Sequence, residues 1–506
     1  MEDGTVNPQW VLPRVITAIM SRVGHWALPL MVASALGVLL FTVAKAHFSS
    51  FTHDESVTWA RYVHLPMKDL LEHRESYTNN HMLNSILMKG SEGLFGDSEL
   101  ALRLPNLLAL VVYLVYAALL ARRLGPVVGL LTYLLLCYGA HFMELFALAR
   151  GYGLSYGCLL MALHHGWRSL ETYRPLHVAL LHAALVLMVL SSFVTAQVAL
   201  AMVTVLPVAA LWSIASDLER KRIRRRMLVV HAALTLVSVI LLREPLRKVM
   251  NDNSFEFGGG NGFVHDTFSS LVHTALPTVA VVGWAVQGLW ILFLLLMCAM
   301  FLVAVRTFRR TGAGTTTDDL ILWPWGVLLA TVLVMVVQHA LLDTPYPKAR
   351  FSKFLYPLLL LCLGASCSGR VAGRWALWSG AMLTAAALVQ VASFIGLSSV
   401  NSSVEWQYDM DTERIMDVIR ADLDGRPAAQ ETARIGHAWV LEPTINFYRV
   451  TKRIPLEPAH REGPSHTEDY LVLNDTLAAQ ADLSGYRFMG WFGHADLLLF
   501  RRTIPR

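Results

Sequence analysis

Long apolar stretches recur along the first four hundred residues, separated by short polar loops. From about residue 401 the pattern changes to short apolar runs between turns. A helix needs roughly 20 apolar residues to cross the hydrocarbon core of a bilayer. On that measure the chain predicts eleven spans, at about 27–46, 104–121, 126–146, 152–167, 176–194, 196–215, 228–242, 277–304, 320–341, 354–369 and 375–397. The fourth and seventh are short. Further on, an amphipathic stretch at about 411–423 precedes runs such as Ala438-Trp439-Val440-Leu441 and Tyr470-Leu471-Val472-Leu473. These predict a small α/β domain. The expected fold class is a polytopic α-helical membrane protein with about 11 transmembrane helices and a small C-terminal α/β soluble domain. The expected division is 1–400, with a long first outside loop at 47–103, and 401–506.

Charge sharpens this division. Only 16% of the 506 residues are charged and 55% are hydrophobic, against roughly 25% charged in an average soluble domain. From residue 401 about a quarter of the positions are charged; before it, about one in eight. A disordered chain, a disulfide scaffold and an ordinary cytosolic enzyme are excluded. The basic residues also orient the spans. Arg14 and Arg22, Arg122 and Arg123, Arg168 and Arg174, the run Arg220–Arg226, Arg306 to Arg310, and Arg370 with Arg374 all fall on one face if eleven spans are correct. The Lys/Arg bias makes that face cytoplasmic. The opposite face then receives 47–103, 243–276, 342–353 and the C-terminal domain. The apolar run at 27–46 is long enough to span and lacks a clear cleavage site, so it reads as an anchor and not as a signal peptide.

Motifs narrow the function. The cytoplasmic loops are short and carry no P-loop or GxGxxG turn, which argues against an ATP-driven pump. The basic run has no nucleic-acid-binding fold around it and reads as a topogenic loop. Cys137, Cys158, Cys298, Cys362 and Cys367 lie in or beside apolar segments and show no metal-binding spacing. The polar wealth is in the first outside loop. It opens with His53-Asp54-Glu55 and continues with Tyr77-Thr78-Asn79-Asn80-His81-Met82-Leu83-Asn84 and Leu94-Phe95-Gly96, then Glu99 and Arg103-Leu104-Pro105-Asn106. Paired acids at a membrane exit are costly without work or partners. One can serve as a general base while its neighbour orients the acceptor or binds a metal; a helix cap at a loop start explains the same letters. The Asn–His cluster (Asn79, Asn80, His81, Asn84) can bind hydroxyls or phosphate, or form a turn.

This succession of an acidic pair after the first span, a polar His-containing segment some 25 residues later, and LFG…E…RLPN entering the second span resembles the GT-C superfamily of integral-membrane glycosyltransferases. It is most similar to the branch of the lipid A aminoarabinose transferases and protein O-mannosyltransferases. That branch often has a Pro-Pro pair where this chain has His81-Met82-Leu83-Asn84, so the subfamily stays open. The resemblance is specific over about 47–155 and fits the topology of 1–400. It implies inverting transfer from a polyprenyl-phosphate sugar, undecaprenyl-linked in a bacterium, to a glycan, lipid or protein acceptor on the outer face. Asp54 would be the base, and Glu55 would position it or a metal. His81 and His53 are candidates for phosphate or for a divalent metal ion, which the resemblance leaves optional.

Polyprenyl phosphate is itself the leaving group, so cations suffice to neutralise the departing charge. Arginine's planar fork suits phosphate. Arg350, Lys348 and Tyr346 before a late span, with Arg103 and Arg150 at span ends, are the donor-phosphate candidates; interfacial snorkelling is the alternative for the cations. Arg103 has Glu99 at helical spacing as another partner, and Glu144 is a candidate partner for Arg150. Tyr152 clusters with them. The Gly-rich loop at 251–263 reads as a lid or a linker. Rival functions are a transporter or lipid flippase of envelope precursors and a non-catalytic assembly factor. A transporter would favour ionisable groups at mid-membrane and internal repeats, and no repeat is visible.

Overall fold

The computed structural model describes residues 8–72, 74, 80–212, 218–251, 258–275, 298, 302, 322–368, 374–425 and 432–503. Among these, six helices are long and apolar enough to cross a membrane: Gly24–Phe48, Glu99–Leu124, Phe193–Leu211, Lys221–Met250, Leu322–Leu342 and Trp378–Leu397. They match six of the predicted spans. Three more predicted spans are the helices Gly151–Thr172, Pro175–Ser191 and Leu355–Cys367. The span predicted at 277–304 lies outside the described residues, apart from isolated helical positions at 298 and 302.

Two spans differ from expectation in ways that have a physical cause. The apolar run predicted at 126–146 is not one helix. Pro126–Cys137 stops at Tyr138-Gly139, and Ala140–Phe146 leaves at 62°. Gln390 stabilises the break, donating from Nε2 to the freed Tyr138 carbonyl at 3.2 Å and to the Tyr356 hydroxyl at 2.8 Å. A broken backbone in an apolar layer is tolerated where neighbouring side chains re-satisfy it. Gly139 fits the corner because a Cβ there would meet the Tyr356 ring at 3.1 Å. The span predicted at 228–242 extends to a helix over Leu218–Asn251. Its charged ends lie outside the apolar count, and Pro245 costs it one intrahelical hydrogen bond.

The chain groups into two compact units. One contains Met1–Leu40, Ala109–Met143 and Ser155–Ser398; the other contains Phe41–Leu108, Glu144–Leu154 and Ser399–Arg506. In the second unit four strands, β1 (Ile435–His437), β2 (Tyr470–Asn474), β3 (Tyr486–Phe492) and β4 (Leu497–Arg502), form a sheet ordered β1-β2-β4-β3. β1 and β2 are parallel and the other pairs antiparallel. The amphipathic stretch is the helix Thr412–Asp424, which buries Ile415, Met416 and Ile419. These side chains join Ile445, Phe447, Tyr448 and Tyr470 in one apolar core with Phe51, Trp59, Val63, Met88 and Leu102 of the segment 47–103. Phe51 stacks on Phe447 at 4.2 Å, and its backbone N–H donates to the Tyr448 hydroxyl at 2.6 Å. The segment 47–103 and the C-terminal segment therefore fold around a shared core.

Candidate active site

The site starts from one short helix, His53–Thr58, inside this second unit. Thr52 caps it. Its hydroxyl accepts the Glu55 N–H, and the Glu55 carboxylate reaches back to the Thr52 N–H at 2.9 Å, a reciprocal capping box. The cap fixes the rotation of the helix, and with it the directions of Asp54 and Glu55.

Glu55 points inward and is fully buried. Arg103 meets it with both arms of its fork, Nε to Oε1 and Nη2 to Oε2, each at 2.8 Å. The Ala149 N–H donates to Oε1 at 2.5 Å. Arg103, also fully buried, gives its other hydrogens to the carbonyls of Ala46, Ser49 and Ser50 at 2.8–2.9 Å. Each group is committed to its partners. Glu55 has no oxygen free of donors for a metal or an acceptor, and Arg103 has no N–H to offer a phosphate. The alternative pairing of Arg103 with Glu99 gives way to Glu55.

Asp54 points the other way. It keeps 9% of its surface exposed, and Arg150 Nη2 lies 3.7 Å from its Oδ2. Arg150 also donates from Nη1 to the Asp54 carbonyl at 3.2 Å and to the Thr58 hydroxyl at 3.0 Å. Arg150 is thus tied to Asp54's turn, and Glu144 has Lys45 at 3.9 Å. The Arg150 guanidinium lies 6.0 Å from the Tyr152 ring centre, and Tyr152 meets the His81 ring edge-on at 4.8 Å. Asp54, Arg150, Tyr152 and His81 thus form one contiguous run.

The remaining candidates divide. Asn84 is buried. It donates to the Ala149 carbonyl at 2.8 Å and accepts from Asn106 at 2.8 Å, which holds the turn before Arg150. Asn80 accepts the Ser85 hydroxyl at 2.9 Å at the start of the next helix. His53 turns toward the C-terminal segment, its Nδ1 2.6 Å from the Val440 carbonyl. Asn79 lies outside the described residues, as do residues 252–257 of the Gly-rich loop. Tyr346, Lys348 and Arg350 belong to the other unit. There Tyr346 is buried against His339, Lys348 is exposed, and Arg350 is partly exposed over the Phe351 ring.

Three polar groups escaped the sequence reading. Lys45, in the last turn of the first span, donates to the carbonyls of Ser399 and Ser402. A lysine inside an apolar helix was the available signal. Asn106 had only its place in the RLPN motif. Asp409 had none: its partners are 356 and 35 positions away, the His53 N–H at 2.6 Å and the Thr444 hydroxyl at 2.9 Å. Burial pushes the Asp409 carboxyl well above the ordinary carboxylate range. The two donors pull it down, and the nearby charges of Asp54 and Glu55 raise it further. Among the described residues no group of three or more His, Cys, Asp or Glu side chains is placed to hold a metal ion. The optional metal at His53, Glu55 and His81 therefore does not fit these side chains as they stand.

No family model and no curated protein matches the sequence. Comparison with solved structures finds the fold. ArnT from Cupriavidus metallidurans in the apo state superposes with a TM-score of 0.51 and 13% identity, covering 94% of this chain and 97% of that one. The same protein bound to undecaprenyl phosphate gives a TM-score of 0.51, 14% identity and the same coverage. The fold is the one that the sequence resemblance implied, and it extends over nearly the whole chain.

Proposed function

We propose that this chain is a GT-C-type glycosyltransferase. It moves a sugar from a polyprenyl-phosphate donor to a cell-envelope glycan, lipid or protein on the outer face of the inner membrane. The observation that carries the reading is the opposite fate of two adjacent acids: Glu55 is consumed by a buried arginine, while Asp54 lies against Arg150 and keeps 9% of its surface exposed. Support also comes from the shared fold, since a protein with that fold has been captured with undecaprenyl phosphate.

In this mechanism Asp54 takes the proton of an acceptor hydroxyl. The acceptor oxygen attacks the anomeric carbon as the bond from that carbon to the phosphate oxygen breaks. Configuration inverts, and polyprenyl phosphate leaves with the bonding pair. Arg350, Lys348 and Tyr346 bind the donor phosphate and neutralise that charge. Arg150 and Tyr152 hold Asp54 and His81 in place, Asn84 fixes the turn that carries Arg150, and Arg103 acts through Glu55 as a positioning residue. The segment from 401 onward forms the extracytoplasmic domain, and residues 1–400 supply the membrane part.

The test uses purified protein in detergent, a panel of labelled polyprenyl-phosphate sugars and an envelope extract as acceptor. Wild-type transfer that falls at least about a hundredfold in Asp54→Asn is expected, in the range of a lost general base. Turnover that survives Asp54→Asn would remove the base assignment, and no transfer from any donor would remove the enzyme class.

A further inference from the structure

The second outside segment contains a scaffold that the proposed chemistry does not use. Val264–Phe268 forms a π-helical turn that runs into the helix Ser269–Ala275. Such turns are frequent at functional sites. Three of its side chains hold the segment that bears Tyr346, Lys348 and Arg350. Asp266 is fully buried, and its Oδ2 accepts the Asn261 N–H at 2.7 Å. Gly259 lies against the same carboxylate, where a Cβ would sit 1.9 Å from Asp266 Cγ. Gly259 exchanges both backbone hydrogen bonds with Tyr346, each at 2.9 Å. The Thr267 hydroxyl donates to the Pro347 carbonyl at 2.8 Å, and the Ser270 hydroxyl accepts the Ala349 N–H at 2.8 Å.

That last tie is informative. Ala349, between Lys348 and Arg350, has φ 49°. Residues other than glycine avoid this region unless the surroundings enforce it, and enforced strain gathers at binding segments. Asp266 also has an ill-suited place for simple packing. Its Oδ1 is buried without a hydrogen bond among the described residues, and His265 Nδ1 lies 3.7 Å from it. An apolar side chain would fill such a space at lower cost.

We infer that Asp266 is a positioning residue for the donor phosphate: by holding Gly259 and Asn261 it sets the register of the Tyr346–Arg350 segment and so aims its cations. This rests on the donor-binding reading above.

The test is binding of undecaprenyl phosphate to the full-length protein in detergent, read by tryptophan fluorescence, with unfolding midpoints measured in parallel. Asp266→Ala is expected to weaken binding about tenfold or more, the scale of one well-placed contact to a charge, at a midpoint that leaves the protein folded. Asp266→Asn still accepts the Asn261 N–H and should bind within about threefold of wild type. Gly259→Ala should resemble Asp266→Ala. In the Asp266→Ala background it should add little, because the carboxylate it would strike is gone. Wild-type affinity in folded Asp266→Ala, equal losses in Asp266→Asn and Asp266→Ala, or additive losses in the double variant would overturn the inference and leave the donor reading standing. A wild type that does not bind would overturn both. If Asp266→Ala does not fold, Ser270→Ala, which releases the Ala349 N–H and the hydroxyl's own bond to the Asp266 carbonyl, carries the same expectation of about tenfold.

Discussion

Replacing Glu55 by Gln tests whether the second acid is part of the chemistry or part of the frame. The structure makes it frame. Glu55 and Arg103 are both fully buried and joined by two hydrogen bonds of 2.8 Å. Removing one partner of such a pair leaves an uncompensated buried charge, at a cost of about 3–5 kcal/mol. A glutamine keeps one acceptor for the Ala149 or Thr52 N–H but turns an NH2 toward the donors of Arg103. Glu55→Gln should therefore lose about that amount. Glu55→Ala should lose more, because two further N–H groups are orphaned at about 1–3 kcal/mol each. Against a total stability commonly of about 5–15 kcal/mol, the alanine variant sits at the edge of folding. Replacing both partners by apolar residues is often near neutral, but not here. Arg103 also satisfies the carbonyls of Ala46, Ser49 and Ser50, so Glu55→Leu/Arg103→Met should recover only part of the loss. Unfolding in detergent, together with transfer per folded molecule, reads both quantities. A Glu55→Gln variant with the wild-type unfolding midpoint would refute the reasoning. If it also lost turnover, Glu55 would be acting on substrate.

Asp409 gives the chain a pH signature. Its folded-state pKa is raised by burial, so its contribution to stability is complete below the ordinary carboxylate value and is lost as pH rises through the raised one; wild type minus Asp409→Asn should show stability falling with pH across that window, and a flat difference from pH 4 to 8 would refute it. Gly153 is packed where a Cβ would lie 3.0 Å from both Asn106 Oδ1 and the Phe146 ring. Gly153→Ala should cost about 1–3 kcal/mol by overpacking and slow transfer by displacing Arg150, and an unchanged unfolding midpoint would contradict that packing.

The spans were legible because hydropathy is a local property. A run of apolar residues becomes a helix wherever the chain goes, so ten of the eleven predicted segments are helical in the described residues. What hydropathy cannot sense is continuity of the backbone. The corner at Tyr138-Gly139 depends on an amide about 250 positions away, and nothing in residues 126–146 announces it. The chemistry divides in the same way. His53, Asp54 and Glu55 stood out by type and place, and Arg103 and Arg150 by charge at a membrane exit. Which acid takes which arginine was not legible, because the partners are 48 and 96 positions distant. The sequence also offered Glu99 for Arg103, a local partner superseded by Glu55. Lys45 is the opposite case: a lone cation in an apolar turn demanded a partner, and the signal was there to use.

The division of the two acids follows from the geometry of the short helix that carries them. Successive residues on an α-helix point about 100° apart, so neighbours cannot share one face. Once the capping box commits Glu55 to the Thr52 N–H, the rotation of the helix is set, and Asp54 is turned away from Arg103. The buried pair then does more than stabilise. Arg103 binds Ala46, Ser49 and Ser50 on one side and Glu55 on the other, so it ties the end of the first span, the cap and the start of the second span together. Glu55 adds the Ala149 N–H, next to Arg150. The residue that braces Asp54 is therefore anchored through the same carboxylate that aims it. Asp54 in this arrangement is held from two directions by a neighbour that never needs to meet the substrate.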